Sequence, residues 1–196
     1  MNILKSIIVI LLLALVTFSF KAKAQSWDSV GTGLSGGFDI YEALAVDTVK
    51  NILYAGGNFT TAGGVSANCI AQWDGTSWDS LGSGMNPATD VVYAFTIFRD
   101  TLYAAGFFTA AGGVSANRIA KWDGTSWDSV GGGMNDGVYA LAVYNDTLYA
   151  GGEFTTAGGV SVNYIAQWDG TSWDSVGAGM NKRVHSLAVY NGDLYA

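Results

Sequence analysis

Residues 151–180, GGEFTTAGGVSVNYIAQWDGTSWDSVGAGM, occur almost unchanged twice upstream, as GGNFTTAGGVSANCIAQWDGTSWDSLGSGM at 56–85 and AGFFTAAGGVSANRIAKWDGTSWDSVGGGM at 105–134. The three copies align without a gap. Self-similarity at a fixed period marks a repeat architecture, in which one supersecondary unit stacks on the next. The Trp residues of the S-W-D-S segment, Trp27, Trp78, Trp127 and Trp173, are spaced by 51, 49 and 46 residues. That period is in the range of a propeller blade. All length differences fall between S-W-D-S-(V/L)-G and the next Leu-Tyr-Ala, so one connection is the variable part of the unit.

Each unit reads as four short strands. In the last complete copy the first strand is 138–144, and the turn Asn145-Asp146-Thr147 passes the chain to the second at 148–152. Asn and Asp tolerate the left-handed conformation that such a turn needs. A longer connection at 154–162 leads to the third strand, 163–168, and Asp169-Gly170-Thr171-Ser172 turns into the fourth, 173–177. The same Asp-Gly hairpin signal recurs at Asp74-Gly75 and Asp123-Gly124. With 27 Gly, one Pro, seven Trp and ten Tyr, the composition fits glycine turns and aromatic strands. No window after residue 24 keeps a helical apolar period.

A four-stranded sheet with two apolar faces cannot bury both alone, and stacking the units radially leaves only short, protected edges. The expected fold is therefore all-β, a partial β-propeller with blades of four antiparallel strands. Three full blades are expected at about 40–84, 91–133 and 138–180, with a lone fourth strand at 26–31 and a truncated blade at 184–196. Closed propellers use about four to eight blades, so the chain reads as a fragment of a longer product.

The first 24 residues stand outside the repeats. One lysine precedes an uncharged apolar run at 7–20, and Ala22-Lys23-Ala24 ends the segment in an A-x-A pattern. This is a secretory signal with cleavage expected after Ala24; the run is too short for a spanning helix, which needs roughly 20 residues. The mature chain is expected to be secreted or exposed at the cell surface, without membrane insertion. It keeps six basic against sixteen acidic residues, a balance that disfavours nucleic acid as a partner. The acidic residues are scattered singly through turns, as in a solvated surface. Cys69 is the single cysteine, so the chain forms no internal disulfide and depends on side-chain packing. Arg118 and Tyr164 hold its place in the other copies, and a half-exposed thiol on a strand is expected. Asn58-Phe59-Thr60 and Asn145-Asp146-Thr147 match an N-glycosylation pattern that matters only in a eukaryotic secretory route.

Leu148-Tyr149-Ala150-Gly151-Gly152, followed by 163–168, Trp173 and Gly177, resembles the kelch and galactose-oxidase type of blade, with a Gly doublet closing the second strand and aromatics on the third and fourth. The GGxFT and WDG elements are also similar to those of secreted bacterial propellers and of the fungal cortical polarity marker family. The second copy departs from the doublet with Ala105-Gly106. The resemblance covers residues 26–196 and implies a propeller that serves as a binding scaffold. Fold alone does not assign activity.

No catalytic constellation emerges. The single histidine, His185, cannot supply a metal cluster, and no Ser or Cys has a paired base within sequence reach. His185 takes the first-strand position held by Glu42, Tyr93 and Tyr139, a solvated rim site. Asp74 with Asp79, Asp123 with Asp128 and Asp169 with Asp174 recur at a spacing of five, which admits calcium; turn chemistry is the competing account of the first Asp in each pair. The Trp pairs bracket the same hairpins and are expected to meet across strands, with a sugar platform as the alternative. No cofactor is expected.

Recognition is expected where the copies differ, on the loops entering the first strand of each blade. Candidate ligand contacts are Asp39, Glu42, Asn86, Asp90, Asn135, Asp136, Asn181, Lys182, Arg183 and His185, unless these are unselected surface loops. The partner class is an extracellular protein or glycan, bound by a non-catalytic adhesion or binding scaffold. The rival is a secreted propeller hydrolase or oxidase whose catalytic residues lie outside this chain; a polarity marker, with a membrane helix downstream, is a third option.

Overall fold

The computed structural model of the protein describes residues 33–37, 43–85 and 90–196. The expected leader at 1–24 and the lone strand at 26–31 lie outside these. After β1 (Leu34–Ser35), the first unit comprises β2 (Ala43–Asp47), β3 (Ile52–Gly56), β4 (Thr61–Ala62), β5 (Val65–Ser66), β6 (Ile70–Trp73) and β7 (Trp78–Ser80). The second comprises β8 (Val91–Phe98), β9 (Thr101–Phe107), β10 (Ala110–Ala111), β11 (Val114–Ser115), β12 (Ile119–Trp122) and β13 (Trp127–Ser129). The third repeats this as β14 (Val138–Tyr144), β15 (Thr147–Gly152), β16 (Thr156–Ala157), β17 (Val160–Ser161), β18 (Ile165–Trp168) and β19 (Trp173–Ser175), and β20 (Ala188–Tyr190) with β21 (Asp193–Tyr195) forms a last hairpin.

Each unit builds one four-stranded antiparallel sheet, ordered β2-β3-β6-β7, β8-β9-β12-β13 and β14-β15-β18-β19. The fold is all-β, with three propeller-like blades. The hairpin between first and second strands turns on two left-handed residues, Asn145 (φ 47) and Asp146 (φ 55) in the third blade, Arg99 (φ 48) and Asp100 (φ 59) in the second. That pair of positive angles is the type I′ turn whose twist suits adjacent strands. First strands β2, β8 and β14 run side by side, which makes them the inner edge of the fan.

Apolar side chains meet between blades. One core, containing Ile70, Leu81, Met85, Val92 and Phe108, lies between the first and second sheets; another, with Ile119, Val130, Met134, Val138 and Phe154, lies between the second and third. Phe108 and Phe154 of the F-T element are fully buried. Burial of one such side chain contributes about 1.5–3 kcal/mol, so this Phe plugs each junction.

The connection at 154–162 is more than a loop. Its β16 and β17 pair across Gly158 (φ 56) and Gly159 (φ 84) as a second, miniature hairpin. This hairpin reaches back to the preceding blade: Ala157 bridges to Met134, and Gly158 N donates to Gly133 O at 2.7 Å. The second blade repeats the clasp through Ala111 with Met85 and Gly112 N to Gly84 O at 2.7 Å. In the first blade Thr61 and Ala62 pair with Ser35 and Leu34 of β1.

Candidate functional site

Most residues that are uniform among the copies are used by the fold. Asp74 Oδ1 accepts hydrogen bonds from Thr76 N, Thr76 Oγ1 and Ser77 N at 2.7–2.8 Å. Asp123 and Asp169 hold their loops in the same way. These donors favour the ionised form, and they bring Asp74 and Asp169 down to about 2, with Asp123 lowered in the same direction. The fifth-spaced partners cap their own strands, Asp79 Oδ1 accepting from Ser80 N and Asp174 Oδ1 from Ser175 N. The turn account therefore describes what these carboxylates do. Each Trp pair meets across its hairpin with ring centroids 5.2–5.6 Å apart.

At the end of the blades carrying the 1–2 turns, the copies differ but the side chains tether neighbours. Lys50 Nζ donates to Asp100 O at 3.2 Å, Arg99 pairs with Asp146 at 2.7 Å, and Tyr144 Oη donates to Gly192 O at 2.7 Å. A small open recess at that end is lined by Gln167, Asp169, Ser172 and Trp173, residues already used by the hairpin.

The opposite rim is different. Its first-strand position is special because the register of β8 on β9 slips between Val92 and Ala94, and that of β14 on β15 between Val138 and Ala140. Tyr93 and Tyr139 are the extra, bulged residues, and a bulge re-aims its side chain out of the sheet pattern. Their rings meet edge to face at 5.4 Å, and His185 stacks on Tyr139 at 5.4 Å with planes 5° apart. Three successive blades thus form one row, Tyr93–Tyr139–His185. Tyr139 Oη donates to Glu153 Oε2, and Glu153 Oε1 accepts from Arg183 Nη1 at 2.8 Å. Burial, and then the Glu153 bond and charge, push the Tyr139 phenol up to about 12.

Two more variable positions join this rim. Asn58, Phe107 and Glu153 stand at or just beyond the end of the second strand in otherwise matching segments. Cys69 (φ 62), Arg118 (φ 66) and Tyr164 (φ 63) each adopt a left-handed backbone one residue before the third strand. The carbonyl of each binds the second-strand end, as Gly106 N to Arg118 O at 2.9 Å shows, which brings the two variable positions of a unit to the same end of the sheet. Arg118 lies over the Phe107 ring with its guanidinium carbon 3.9 Å from the centroid, and its Nη1 donates to Phe108 O. Its Nε is buried without a hydrogen-bond partner. Cys69 is buried and precedes β6 rather than standing half-exposed on it, because the left-handed turn carries Sγ inward to Asp90 O at 3.1 Å. Burial, with the nearby Asp90 charge, raises its thiol to about 11.

The expected contacts divide. Asp39, Glu42 and Asn86 lie outside the described residues. Asp90 is buried, and its carbonyl accepts from Asn58 Nδ2 at 3.0 Å. Asn135 serves the clasp: its Oδ1 accepts from Thr155 N and Thr156 N at 2.9 Å. Asp136 Oδ1 accepts from Gly137 N at 2.7 Å. Asn181, Lys182, Arg183 and His185 are exposed, and Arg183 and His185 join the aromatic row. Reading only the entering loops misses Tyr93, Phe107, Arg118, Tyr139 and Glu153. The available signal is that 58/107/153 and 69/118/164 differ inside a unit whose neighbours match. No family model matches the chain, and no curated protein matches it either.

Proposed function

We propose that the chain is part of an exported, non-catalytic binding or adhesion scaffold of kelch-like propeller type, whose ligand face is the rim formed by the loops entering the first strands. One observation carries this reading: positions that vary inside a nearly invariant repeat converge there on a row of rings with a carboxylate and a guanidinium beside it. Elsewhere the repeat uses its polar residues to hold turns and neighbouring blades. A rigid frame with variable residues at one rim is how repeat architectures commonly present a binding surface. The leader pattern at 1–24 supports the exported part of this reading, and the acidic balance of the rest argues against nucleic acid as the partner.

The test is a screen of the full chain against immobilised glycans and extracellular proteins, alongside His185→Ala, Arg183→Ala and Lys121→Gln. Lys121 lies on the outer part of the second blade, paired with Asp128. A ligand lost by the two rim variants and kept by Lys121→Gln supports the scaffold. Turnover of a substrate by the purified chain overturns it.

A further inference from the structure

We infer that the rim binds a glycan carrying an isolated carboxylate, such as a uronic acid residue in an otherwise neutral chain; the inference rests on the scaffold reading above. The ring row offers flat apolar surface. His185 is exposed, with one face on Tyr139, and Phe107 is 41% exposed with one face under the Arg118 guanidinium. Such faces suit the CH-rich side of a pyranose, because an aromatic ring contributes apolar area and a polarised face at small entropy cost. Gly137 lets both rings lie close to the main chain: a Cβ there would stand 3.2 Å from Tyr139 Cε1 and 3.6 Å from Phe107 Cδ2.

Charge narrows the ligand further. Arg118, Lys182 and Arg183 all lie on this rim of a chain that is strongly acidic overall. The Arg183–Glu153 pair is open to water, with side chains 53% and 38% exposed. A guanidinium in that setting exchanges partners at little cost and holds a carboxylate through two parallel bonds. Glu153 then stays on the Tyr139 hydroxyl. A dense polyanion would be opposed by the net negative charge of the chain, so a carboxylate set among neutral sugars fits better than a sulfated or phosphorylated polymer. A neutral glycan would offer these cations no anionic partner.

The experiment titrates the full chain with a uronate-containing oligosaccharide and with the same oligosaccharide after reduction of its carboxyl groups. The acidic form is expected to bind about tenfold more tightly, the value of one charge-assisted contact. Arg183→Gln should abolish that preference, His185→Ala should weaken both forms, and Lys121→Gln should change neither. Thermal melts of each variant confirm that the fold is kept. Equal binding of the two forms, an unchanged preference in Arg183→Gln, or binding of neither overturns the inference. If neither binds while a photo-crosslinker at position 185 captures a defined protein ligand, the glycan inference falls and the scaffold stands. Cleavage of the oligosaccharide removes the scaffold reading itself.

Discussion

The indole Nε1 of Trp173 donates to the main-chain oxygen of Val130 at 3.0 Å, across the junction between the second and third blades. Trp127 makes the same bond to Leu81 at 2.8 Å, one junction earlier. The fourth-strand Trp is therefore a joint between blades as well as a partner for the third-strand Trp. Trp173→Phe keeps a ring and removes the donor, leaving a buried carbonyl without this bond. The expected loss is about 1–3 kcal/mol, read as a lower denaturation midpoint with an unchanged denaturant slope. Amide exchange should speed up first along β16, β17 and β19.

The clasp gives a second test, because its two glycines differ. Gly158 and Gly159 both have positive φ, at 56 and 84. A Cβ at Gly159 meets nothing within 4 Å, whereas one at Gly158 would stand 2.6 Å from Gly131 O and 3.0 Å from Trp173 Cδ1. Gly159→Ala should then cost only the left-handed backbone penalty, about 1–2 kcal/mol. Gly158→Ala should cost clearly more, because the hairpin must lift from the blade before it. Comparable denaturation midpoints for the two variants would contradict this account of the clasp.

The acid limb of stability follows from the three Asp loops. Asp74 and Asp169 are held at about 2 by backbone and hydroxyl donors, well below the usual value of about 4 for an unfolded Asp. A carboxyl whose folded value is depressed stabilises the fold above the unfolded value and loses that contribution as pH falls through the folded one. Thermal stability should therefore decline between about pH 4 and about pH 2. Replacing Asp74, Asp123 and Asp169 together by Asn keeps an acceptor for each loop but removes the titration. The triple variant should show a shallower fall over that interval, while the matching Ala variant should be less stable at neutral pH.

How far the sequence reveals this arrangement depends on the range of the interaction. The limits of β14 follow from the unbroken apolar run at 138–144 and from Asn145-Asp146, since both signals are local. The miniature hairpin at 156–161 is harder to see. Two strands of two residues carry no measurable alternation, and what stabilises them is the preceding blade. The site divides in the same way. Arg183 and His185 stand on a loop whose length varies, but Glu153 sits in a segment of constant length. Its role appears only when Tyr139 is turned toward it by a bulge, and nothing in V-Y-A-L-A-V-Y distinguishes a bulged Tyr from a paired one. The left-handed backbone of Cys69, Arg118 and Tyr164 is equally hidden, because three such different side chains share no turn preference.

The bond between Tyr139 and Glu153 can be read in solution. Burial comes first among the causes that raise this phenol to about 12, followed by the hydrogen bond to the Glu153 carboxylate and by its charge. An ionised Tyr139 would place two negative charges together, which the exposed Arg183 offsets only in part. Ultraviolet titration should accordingly include a tyrosine that ionises near pH 12, and that contribution should be lost in Tyr139→Phe. Glu153→Gln removes the charge and keeps a hydrogen-bonding group of the same shape. Its slow tyrosine should move down toward the ordinary value of about 10 without reaching it, since burial remains. Arg183→Gln should move it the other way, because the guanidinium favours the ionised phenol. An unchanged titration in Glu153→Gln would mean that burial alone sets the value, and that the carboxylate does not hold the ring row at the rim.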